Sequence, residues 1–437
     1  MKLQGTAMIN EKGHLSIGGC DTVELVQKHG SPLYVMDETF LRDNCRAYYQ
    51  AFSASGNGEV IYASKAFMNL AMCRVIEEEG LGLDVVSGGE LYTARRAGFP
   101  MEKVYFHGNN KTDAELQQAI EYGIGHIVLD NHYEMERLNN IAGRAGRTVK
   151  VLLRITPGIE CHTHEFIRTG QIDSKFGFPL PTGQAMEAIQ AVVECNNLIY
   201  DGLHCHIGSQ IFELESFRYA AEVMMNFIEE IHQKTGAVTS ILNLGGGFGI
   251  RYTESDEPAD INDYARTVLG AVQGEAEKRG LTIPKVVVEP GRSIAGPTGT
   301  TLYTIGSVKE IHGVRKYVAV DGGMNDNPRP ALYGSRYEAM IANKAEQAAE
   351  EVVSITGKCC ESGDMLIWDV SLPKAESGDI LAVSSTGAYN YTMSMNYNRI
   401  GRPAVVFVRD GQSAVVVERE SLDDLIRNDR IPPYLQR

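Results

Sequence analysis

Ionisable residues recur in this sequence directly after short apolar, β-branched runs. Lys65 follows the run at residues 59–63, and His107 follows the run at 103–106. Further along, His206 ends a run at 198–206 and Glu289 ends one at 285–289. The carboxyl ends of the strands in a parallel α/β barrel lie on one face, so these side chains are expected to gather at one site. A purely structural fold would show no such bias.

Two glycine-rich motifs predict a phosphate site. GGGFG, at residues 245–249, follows the run at 240–244, and EPGR ends with Arg292 directly after the next run. Glycines let backbone N–H groups close on phosphate oxygens, and an arginine adds a charge-assisted, bidentate pair. Taken alone, GGGFG is more often a turn than a binding loop. The occurrence of both motifs after two successive strands predicts phosphate binding.

Lys65 completes a set of residues that predicts pyridoxal 5′-phosphate (PLP) as cofactor. At a strand end its amine is expected to be partly desolvated, which lowers the pKa of a lysine and favours Schiff-base formation. Glu289 would pair with the pyridine nitrogen and keep it protonated, which makes the ring an electron sink. An isolated strand-end lysine more often extends into solvent, but the phosphate motifs favour the catalytic interpretation.

Eight apolar runs that alternate with amphipathic stretches must position these residues. The alternation over roughly 240 residues predicts an α/β fold, a closed PLP-binding (β/α)8 TIM-like barrel. A doubly wound sheet is the alternative. The runs lie at residues 59–63, 83–86, 103–106, 125–129, 149–155, 198–206, 240–244 and 285–289, and the amphipathic stretches include 70–79, 89–96, 113–122 and 217–234.

From about residue 296 the strand-like runs follow one another with few helical stretches between them. This pattern predicts a mainly antiparallel C-terminal β domain. The segment GSPLYVMD, at residues 30–37, is expected to add a strand to that domain. We therefore divide the chain into a PLP-binding barrel at residues 36–297 and a β-sandwich or barrel-like domain formed by residues 1–35 and 298–437.

Composition and charge disfavour several classes of protein. The chain has 437 residues, 43% of them hydrophobic, and a formal net charge of −15. This acidic balance disfavours nucleic acid and anionic membranes as partners. No apolar run approaches the ~18 residues that span a bilayer, and the N-terminal segment lacks the apolar core of a signal peptide. Because the cysteines show no disulfide-like spacing, we expect a cytoplasmic protein.

His204 and His206 form an HxH pair, which raises the alternative of a metal centre. The further histidines that could join them are His162 and His164, in a predicted loop. A strand-end imidazole more often satisfies a hydrogen bond, and with PLP present His206 would lie flat against the ring. We therefore expect no metal.

Several ordered motifs also carry a resemblance to a known family. They are YASKA, DVVSGGE, TGQIDSKFG (169–177), HIGSQ, LGGGFG, EPGRS, DGGMNDNPRPALYG (321–334), CESGD (360–364) and GAYNYTMSMNYN (387–398). With these motifs the chain resembles the diaminopimelate decarboxylases, which belong with eukaryotic ornithine decarboxylase and alanine racemase to the fold-type III PLP enzymes. The resemblance runs from about residue 30 to near the C-terminus and implies an alanine racemase-like fold.

The resemblance implies a role for each matched residue. Lys65 would be the Schiff-base lysine, Glu289 the partner of the pyridine nitrogen, and Cys360 the catalytic proton donor. The rest of the cofactor would be bound by His206, Ser209, Gly247, Pro290, Gly291, Arg292 and Tyr389. The substrate would be bound by Arg292, Arg329, Tyr333, Glu361 and Tyr389.

The implied reaction is PLP-dependent decarboxylation of meso-2,6-diaminopimelate to L-lysine and CO2, the last step of lysine biosynthesis (EC 4.1.1.20). Arg292, Arg329 and Tyr333 would clamp the distal carboxylate, and Glu361 would recognise the distal ammonium. A guanidinium and a phenol four residues apart share one face of a short helix, which agrees with this assignment. In the family Cys360 and Glu361 come from the partner subunit, so the resemblance implies a head-to-tail homodimer with two shared active sites.

Three alternatives stay open. A PLP decarboxylase of another basic amino acid (ornithine, lysine, arginine or carboxynorspermidine) would share the cofactor residues without needing the RPALY segment in this form. A non-catalytic regulator with this fold would be expected to have lost Lys65 or Cys360. A metal-dependent barrel hydrolase would use the HxH pairs. The sequence assigns no role to Asp84 or to Cys359, the thiol beside the predicted donor.

Overall fold

The computed structural model describes residues 1–54, 56–159 and 173–436, so His162, His164 and the start of the TGQIDSKFG motif lie outside the described residues. The chain divides into two compact units. The barrel unit comprises Arg42–Ile250 and Asp256–Ile294, and the sheet unit comprises Met1–Leu41, Arg251–Ser255 and Ala295–Arg437. The predicted division had its boundaries at residues 36 and 297 and kept residues 251–255 with the barrel.

The strands, in chain order, are β1 (Met8–Ile9), β2 (Leu15–Ile17), β3 (Cys20–Asp21), β4 (Leu33–Asp37), β5 (Gly58–Ala63), β6 (Gly82–Val85), β7 (Val104–Phe106), β8 (His126–Leu129), β9 (Val149–Thr156), β10 (Phe178–Pro179), β11 (Leu198–His204), β12 (Ile241–Asn243), β13 (Lys285–Val288), β14 (Gly299–Ile311), β15 (Arg315–Val320), β16 (Ala339–Ile341), β17 (Glu351–Thr356), β18 (Met365–Leu372), β19 (Ile380–Ser384), β20 (Ala404–Arg409) and β21 (Gln412–Val417). The α-helices are α1 (Thr22–His29), α2 (Glu38–Tyr48), α3 (Leu70–Glu78), α4 (Gly88–Arg96), α5 (Asp113–Tyr122), α6 (His132–Arg144), α7 (Gln184–Val193), α8 (Leu214–Thr235), α9 (Ile261–Arg279), α10 (Arg292–Ala295), α11 (Arg329–Tyr333) and α12 (Leu422–Ile426).

Parallel strands of the barrel unit close on themselves in the order β5, β6, β7, β8, β9, β11, β12, β13, and β13 pairs back to β5. β10 adds a short parallel pairing to β9. Alternate residues point into the barrel, where an apolar cluster fills it with Ile61, Tyr105, Val128, Leu152, Ile241 and Val287. The predicted (β/α)8 barrel is confirmed.

Polar caps fix where the early barrel helices begin. The Asn69 side chain accepts a hydrogen bond from the Met72 N–H at the start of α3, and Ser87 accepts one from the Glu90 N–H at the start of α4. Thr112 forms a capping box with Glu115 at the start of α5. Such caps satisfy N–H groups that have no partner inside the helix. The loops between strand and helix therefore stay short, and their side chains remain at the carboxyl ends of the strands.

The sheet unit is built around the long strand β14. This strand pairs antiparallel with β4, β15 and β19, while β4 pairs parallel with β20. β17 and β18 extend the sheet beyond β15, and β21 extends it beyond β20. The mainly antiparallel β domain is confirmed, and so is the strand predicted within GSPLYVMD, which is β4. A small antiparallel sheet of β1, β2 and β3 was not predicted.

Within the residues that the structure describes, no helix combines the length and the apolar character needed to cross a membrane.

Candidate active site

Lys65 lies in the single-turn 3₁₀ helix that follows β5, at Ser64–Ala66. The neighbouring strand is tied to this turn by Glu90, whose Oε2 accepts hydrogen bonds from Ser64 Oγ at 2.8 Å and from the Val86 N–H at 2.7 Å. Within this chain the Lys65 side chain is exposed, so the expected partial desolvation is wrong. The reason is the turn itself, which carries Lys65 off the end of the buried strand.

Glu289, directly after β13, is buried among polar groups from other strands. Its Oε1 accepts a hydrogen bond from Asn243 Nδ2 at 2.7 Å and lies 3.0 Å from His107 Nε2. Its Oε2 lies 3.4 Å from His204 Nε2. Burial alone would raise the pKa of Glu289, but the His107 and His204 imidazoles hold that pKa well below its ordinary value. The site therefore presents an ionised carboxylate.

The histidines around Glu289 differ in charge. Burial works against a charged His107, yet the carboxylates of Asp84 and Glu289 raise its pKa above the ordinary value. Burial lowers the pKa of His204 to about 4, so this imidazole is neutral. Asp84 Oδ1 lies 3.7 Å from His107 Nε2, and burial raises the pKa of Asp84 to about 7. The raised pKa of His107 favours its charged form, and its Nε2 is the atom that lies near both the Glu289 and the Asp84 carboxylates.

The two members of the HxH pair point to different partners. His204 groups with His107 and Glu289, and ligand-type atoms of these three residues lie within 4.8 Å of one another. His206 Nδ1 accepts a hydrogen bond from the Gly246 N–H at 3.2 Å, and burial together with the nearby Lys65 charge lowers the pKa of His206 well below the ordinary value. His206 is therefore a neutral ring at the edge of the glycine loop.

The glycine loop after β12 is shaped by close backbone approaches. A Cβ at Gly246 would collide with the Glu289 carbonyl oxygen, and a Cβ at Gly247, where φ is +105°, would collide with the Gly208 carbonyl oxygen. Arg292 is buried, and its Nη2 donates a hydrogen bond to Ser209 Oγ at 3.0 Å. The loops after β11, β12 and β13 thus bring Ser209, Gly247 and Arg292 into one part of the barrel unit, as the sequence predicted.

In the sheet unit, Arg329 is the first residue of the short helix α11. Its side chain is only 7% exposed, its Nε donates to the Tyr337 hydroxyl at 2.9 Å, and its Nη2 donates to Ser335 Oγ at 3.2 Å. The guanidinium carbon lies 5.6 Å from the Tyr252 ring centroid and 5.7 Å from the centroids of Tyr333 and Tyr389. The predicted proximity of Arg329 and Tyr333 is confirmed.

No carboxylate forms an ion pair with Arg329 in the part of the chain that the structure describes. Aromatic faces and hydroxyl groups stabilise a buried guanidinium only in part. The arrangement is therefore suited to an anionic ligand that completes the set of contacts.

The adjacent cysteines of the CESGD segment have different surroundings. Cys360 and Glu361 are exposed within this chain. Cys359 is only 9% exposed, its Sγ lies 3.5 Å from Asn325 Oδ1, and burial raises its pKa to about 12. Of the two thiols, only that of Cys360 is accessible to a ligand from outside the chain.

Comparisons with known proteins identify the family. The model of the pyridoxal-dependent decarboxylase, pyridoxal binding domain, matches residues 39–296. The diaminopimelate decarboxylase of Bacillus subtilis is 54% identical over 430 residues, 98% of each chain, and that of Staphylococcus aureus is 45% identical over 97% of this chain and 99% of its own. A crystal structure of the M. jannaschii diaminopimelate decarboxylase in complex with L-lysine has a TM-score of 0.92 at 36% identity and covers 99% of both chains. The chain belongs to the diaminopimelate decarboxylase family.

The cofactor of this decarboxylase is pyridoxal 5′-phosphate, and the residues present fit it. An ionised, buried carboxylate suits a protonated ring nitrogen, and a glycine loop beside Ser209 and Arg292 suits a phosphate. Lys65 supplies an amine beside the neutral ring of His206, whose pKa its charge helps to lower. Of the residues predicted to bind the cofactor, Tyr389 lies in the sheet unit and the others lie in the barrel unit, where Lys65 is exposed within this chain.

The sequence missed how Glu289 is surrounded. His107 was singled out as a strand-end residue, and Asp84 had no role, but both belong to the group around Glu289. Asn243, which binds Glu289 directly, was not named at all. The available signal was position, because Asn243 ends β12 just as His107 follows β7.

Proposed function

We propose that this chain is a cytoplasmic enzyme that decarboxylates meso-2,6-diaminopimelate to L-lysine and CO2, the last step of lysine biosynthesis (EC 4.1.1.20). Relatives named diaminopimelate decarboxylase reach 54% and 51% identity over 98% of the chain. Structures of the M. jannaschii and Helicobacter pylori enzymes were solved with L-lysine bound, which is the product of the proposed reaction.

The observation that carries the choice of substrate is the buried Arg329. The guanidinium has hydroxyl and aromatic neighbours but no carboxylate partner within the described residues. Diaminopimelate has a second carboxylate beside a second amine, whereas ornithine, lysine and arginine end in a cation. A terminal cation next to Arg329 would be repelled, while a carboxylate forms a bidentate pair with it.

The cofactor is assigned mainly to residues of the barrel unit. Lys65 would hold it covalently, His206 would contact its ring, and Glu289 would accept a hydrogen bond from its ring nitrogen. The phosphate and its surroundings are assigned to Ser209, Gly247, Pro290, Gly291 and Arg292, and Tyr389 is assigned to the cofactor and the substrate. The chemistry that bound PLP supplies is an electron sink for the carbon–carbon bond that breaks.

The low pKa of Glu289 supports its assigned role. A carboxylate whose pKa is held well below the ordinary value is a weak base, so it accepts a hydrogen bond without removing the proton from a ring nitrogen. His107 and His204 lower this pKa, and Asn243 donates a further hydrogen bond to the same carboxylate. Glu289 would therefore leave the proton on the ring nitrogen, which is the state in which PLP acts as an electron sink.

The substrate ends are assigned to residues of the sheet unit, with Arg292 joining them at the distal carboxylate. Arg329 and Tyr333 bind that carboxylate, and Glu361 binds the distal ammonium. Cys360 donates the proton to the carbon that loses CO2. The burial and high pKa of Cys359 support Cys360 as the donor, because a donor must reach a ligand that enters from solvent.

We also propose that two chains form a head-to-tail homodimer with two shared active sites. Cys360 and Glu361 are exposed within the single chain, which supports the proposal that they contribute to the active site of the partner subunit. Complementation tests this arrangement: a mixture of Lys65→Ala and Cys360→Ala chains contains heterodimers with one intact site. Regained activity is the expected result, and inactive mixtures with proven heterodimers would mean that each site uses one chain alone.

An end-point assay on the PLP-loaded protein tests the proposed reaction. Meso-diaminopimelate, L-lysine, L-ornithine and L-arginine are offered separately, and the product is identified by chromatography together with CO2 release. Lysine formed from meso-diaminopimelate alone is the expected result. Decarboxylation of another of these amino acids instead would overturn the assigned substrate while leaving the cofactor residues in place.

A further inference from the structure

The buried carboxylate of Asp364 bonds to two loops at once. Its Oδ1 accepts a hydrogen bond from the Met324 N–H at 2.6 Å, and its Oδ2 accepts one from the Cys359 N–H at 2.7 Å. Asp364 is only 3% exposed. Burial raises the pKa of Asp364, while the two N–H donors work against that rise. Each of the two hydrogen bonds joins one loop to the same carboxyl group.

The two loops fit around the carboxylate without space for larger residues. A Cβ added at Gly323, in the first loop, or at Gly357, in the second, would collide with the Asp364 carboxylate. The loops also bond directly, since the Lys358 N–H donates to the Gly322 carbonyl at 2.9 Å. Asp364 is therefore the centre of a closely packed junction between residues 322–324 and 357–359.

The first loop leads from this junction to Arg329 through fully buried residues. Asp326 accepts hydrogen bonds from the Gly323 N–H at 2.9 Å and from the Tyr303 hydroxyl at 2.5 Å, and the Asn327 N–H donates to the Gly323 carbonyl at 2.8 Å. Pro328 follows, and α11 begins at Arg329. A shift of the backbone at Met324 would thus be passed on to the helix that presents the guanidinium.

The second loop leads directly to Cys360. The Cys359 N–H is held by Asp364, and the next N–H, that of Cys360, donates to Asn398 Oδ1 at 2.7 Å. The Cys359 thiol adds a contact to Asn325 Oδ1 of the first loop. The backbone at Cys360 is therefore held by hydrogen bonds, although the Cys360 side chain is exposed.

We infer that Asp364 is a positioning residue that sets the place of Arg329 and of Cys360–Glu361 through one carboxylate. The inference rests on the proposed roles of Arg329 as the reader of the distal carboxylate and of Cys360 as the proton donor. Asp364 is buried and bonds to both loops, so we assign it no direct contact with substrate or cofactor. In the proposed dimer Arg329 belongs to one active site and Cys360–Glu361 belong to the other. Asp364 would therefore position residues in both sites.

The test variant is Asp364→Asn in the PLP-loaded enzyme. An amide keeps the size of the side chain but turns one acceptor into a donor, so one of the two N–H groups loses its bond and faces an NH2 group. Asp364→Ser, which leaves room for water beside both N–H groups, replaces it if the first variant does not fold. Asp379→Asn is the matched control: Asp379 is similarly buried in the sheet unit, and its carboxylate binds Lys344 and Asn343 away from both loops.

Heterodimers separate the two effects of Asp364. With Lys65→Ala as the partner, the competent site combines the variant chain's Lys65 and Arg329 with an unaltered Cys360. With Cys360→Ala as the partner, the competent site combines an unaltered Lys65 and Arg329 with the variant chain's Cys360. The Lys65→Ala and Cys360→Ala heterodimer, with one unaltered site, is the reference.

We expect KM for diaminopimelate to rise about 10-fold or more in the first heterodimer and kcat to fall by a similar factor in the second, because misplacement of a reacting group by about 1 Å reduces rates strongly. Turnover in D2O adds a second readout: a misplaced thiol lets solvent deliver deuterium to either face of the carbon that loses CO2. The second heterodimer should therefore give product of mixed configuration at that carbon, and the Asp379→Asn control should not.

Reference values of KM, kcat and product configuration in both heterodimers, with Asp364→Asn folded, would overturn the inference. If the reference heterodimer itself is inactive, the shared-site proposal fails, and the Asp364→Asn homodimer decides: combined changes in KM, kcat and configuration support positioning, and a change in thermal stability alone contradicts it. If the unaltered enzyme does not decarboxylate diaminopimelate, the proposed function fails first, before any variant is made.

Discussion

Glu289 in the barrel unit and Arg329 in the sheet unit are both buried charged residues, but their surroundings are opposite in kind. Glu289 is 8% exposed and has Asn243, His107 and His204 at 2.7 to 3.4 Å. Arg329 is 7% exposed and has hydroxyl and ring neighbours but no anion within the described chain. A buried charge without a counter-charge is costly, so its retention points to a ligand that supplies one.

This difference between the two residues corresponds to their proposed roles, since Glu289 is assigned to the cofactor and Arg329 to the substrate. The chain itself lowers the pKa of Glu289, so under the proposed function the ring nitrogen of the cofactor would meet a carboxylate that is already ionised. Arg329 has no carboxylate partner among the described residues, so under the proposed function the substrate would supply one. Changes at Glu289 should therefore act on the rate of the chemical step, and changes at Arg329 should act on substrate affinity.

The largest expected effect is that of Glu289→Gln. Loss of the carboxylate charge should lower kcat about 100- to 1,000-fold, the range found when a group that stabilises transition-state charge is removed, with little change in KM. Steady-state kinetics with meso-diaminopimelate measure it. Glu59 lies at the start of β5, whereas Lys65 follows the end of that strand. Glu59→Gln is therefore the control and should keep the kcat of the unaltered enzyme. A rise in KM without a fall in kcat would remove Glu289 from its assigned place.

Arg329→Lys should act next most strongly, and on KM. Lysine keeps the positive charge but cannot bind a carboxylate through two parallel N–H groups as arginine does. We therefore expect kcat/KM to fall about 10- to 100-fold, while the affinity for PLP stays unchanged. Arg336→Lys, an exposed arginine seven residues on, is the matched control. Equal losses of substrate and PLP affinity would contradict the division between the two charges.

Tyr337→Phe should have a smaller effect of the same kind. The tyrosine hydroxyl accepts the Arg329 Nε–H, so its removal leaves one guanidinium donor without that partner and weakens substrate binding by about 3- to 10-fold. The Kd for a non-reactive dicarboxylate analogue provides the measurement. A large fall in kcat instead would show that the hydroxyl takes part in the chemical step.

Asp84→Asn should change stability in a pH-dependent way. Burial raises the pKa of Asp84 from 3.8 to about 7, so between these values the folded protein binds more protons than the unfolded chain. Its contribution to stability is thus present at low pH and is lost as the pH rises through about 7, and the raised pKa of His107 acts in the same direction.

The free energy of unfolding of the Asp84→Asn variant should accordingly depend less on pH than that of the unaltered enzyme. Urea denaturation over the range from about pH 5 to about pH 8 measures this slope. Asp43→Asn, an exposed carboxylate in α2, serves as the control. An unchanged slope in Asp84→Asn would mean that Asp84 is ionised over the whole range.

The fold followed from the sequence where the periodic pattern was long enough. All eight predicted barrel strands overlap the observed ones, and α5 has the predicted bounds, Asp113–Tyr122. The two-residue strands β1, β3 and β10 were missed because two residues carry no alternation. Position after a strand identified Lys65, His206, Glu289 and Arg292, but it says nothing of the 3₁₀ turn that exposes Lys65.

Contacts between distant segments account for the rest. His107 and Glu289 are far apart in the chain and follow strands that are not neighbours in the barrel, so their contact depends on how the barrel closes. Tyr333 was found beside Arg329 because four residues make one helical turn. Tyr252, another ring of the same group, has no local relation to Arg329 and could not be predicted from it.

The most direct test of this account is the ratio of kcat/KM for meso-diaminopimelate to that for each enantiomer of lysine, which has the same carbon skeleton with one carboxylate fewer. When a site is built to bind a particular polar group of its substrate, kcat/KM for an analogue that lacks this group is lower by about 10⁴-fold. We expect a ratio of that order for the unaltered enzyme and a ratio close to one for Arg329→Met. Decarboxylation of lysine to cadaverine at a comparable kcat/KM would contradict the claim that Arg329 awaits the second carboxylate of the substrate.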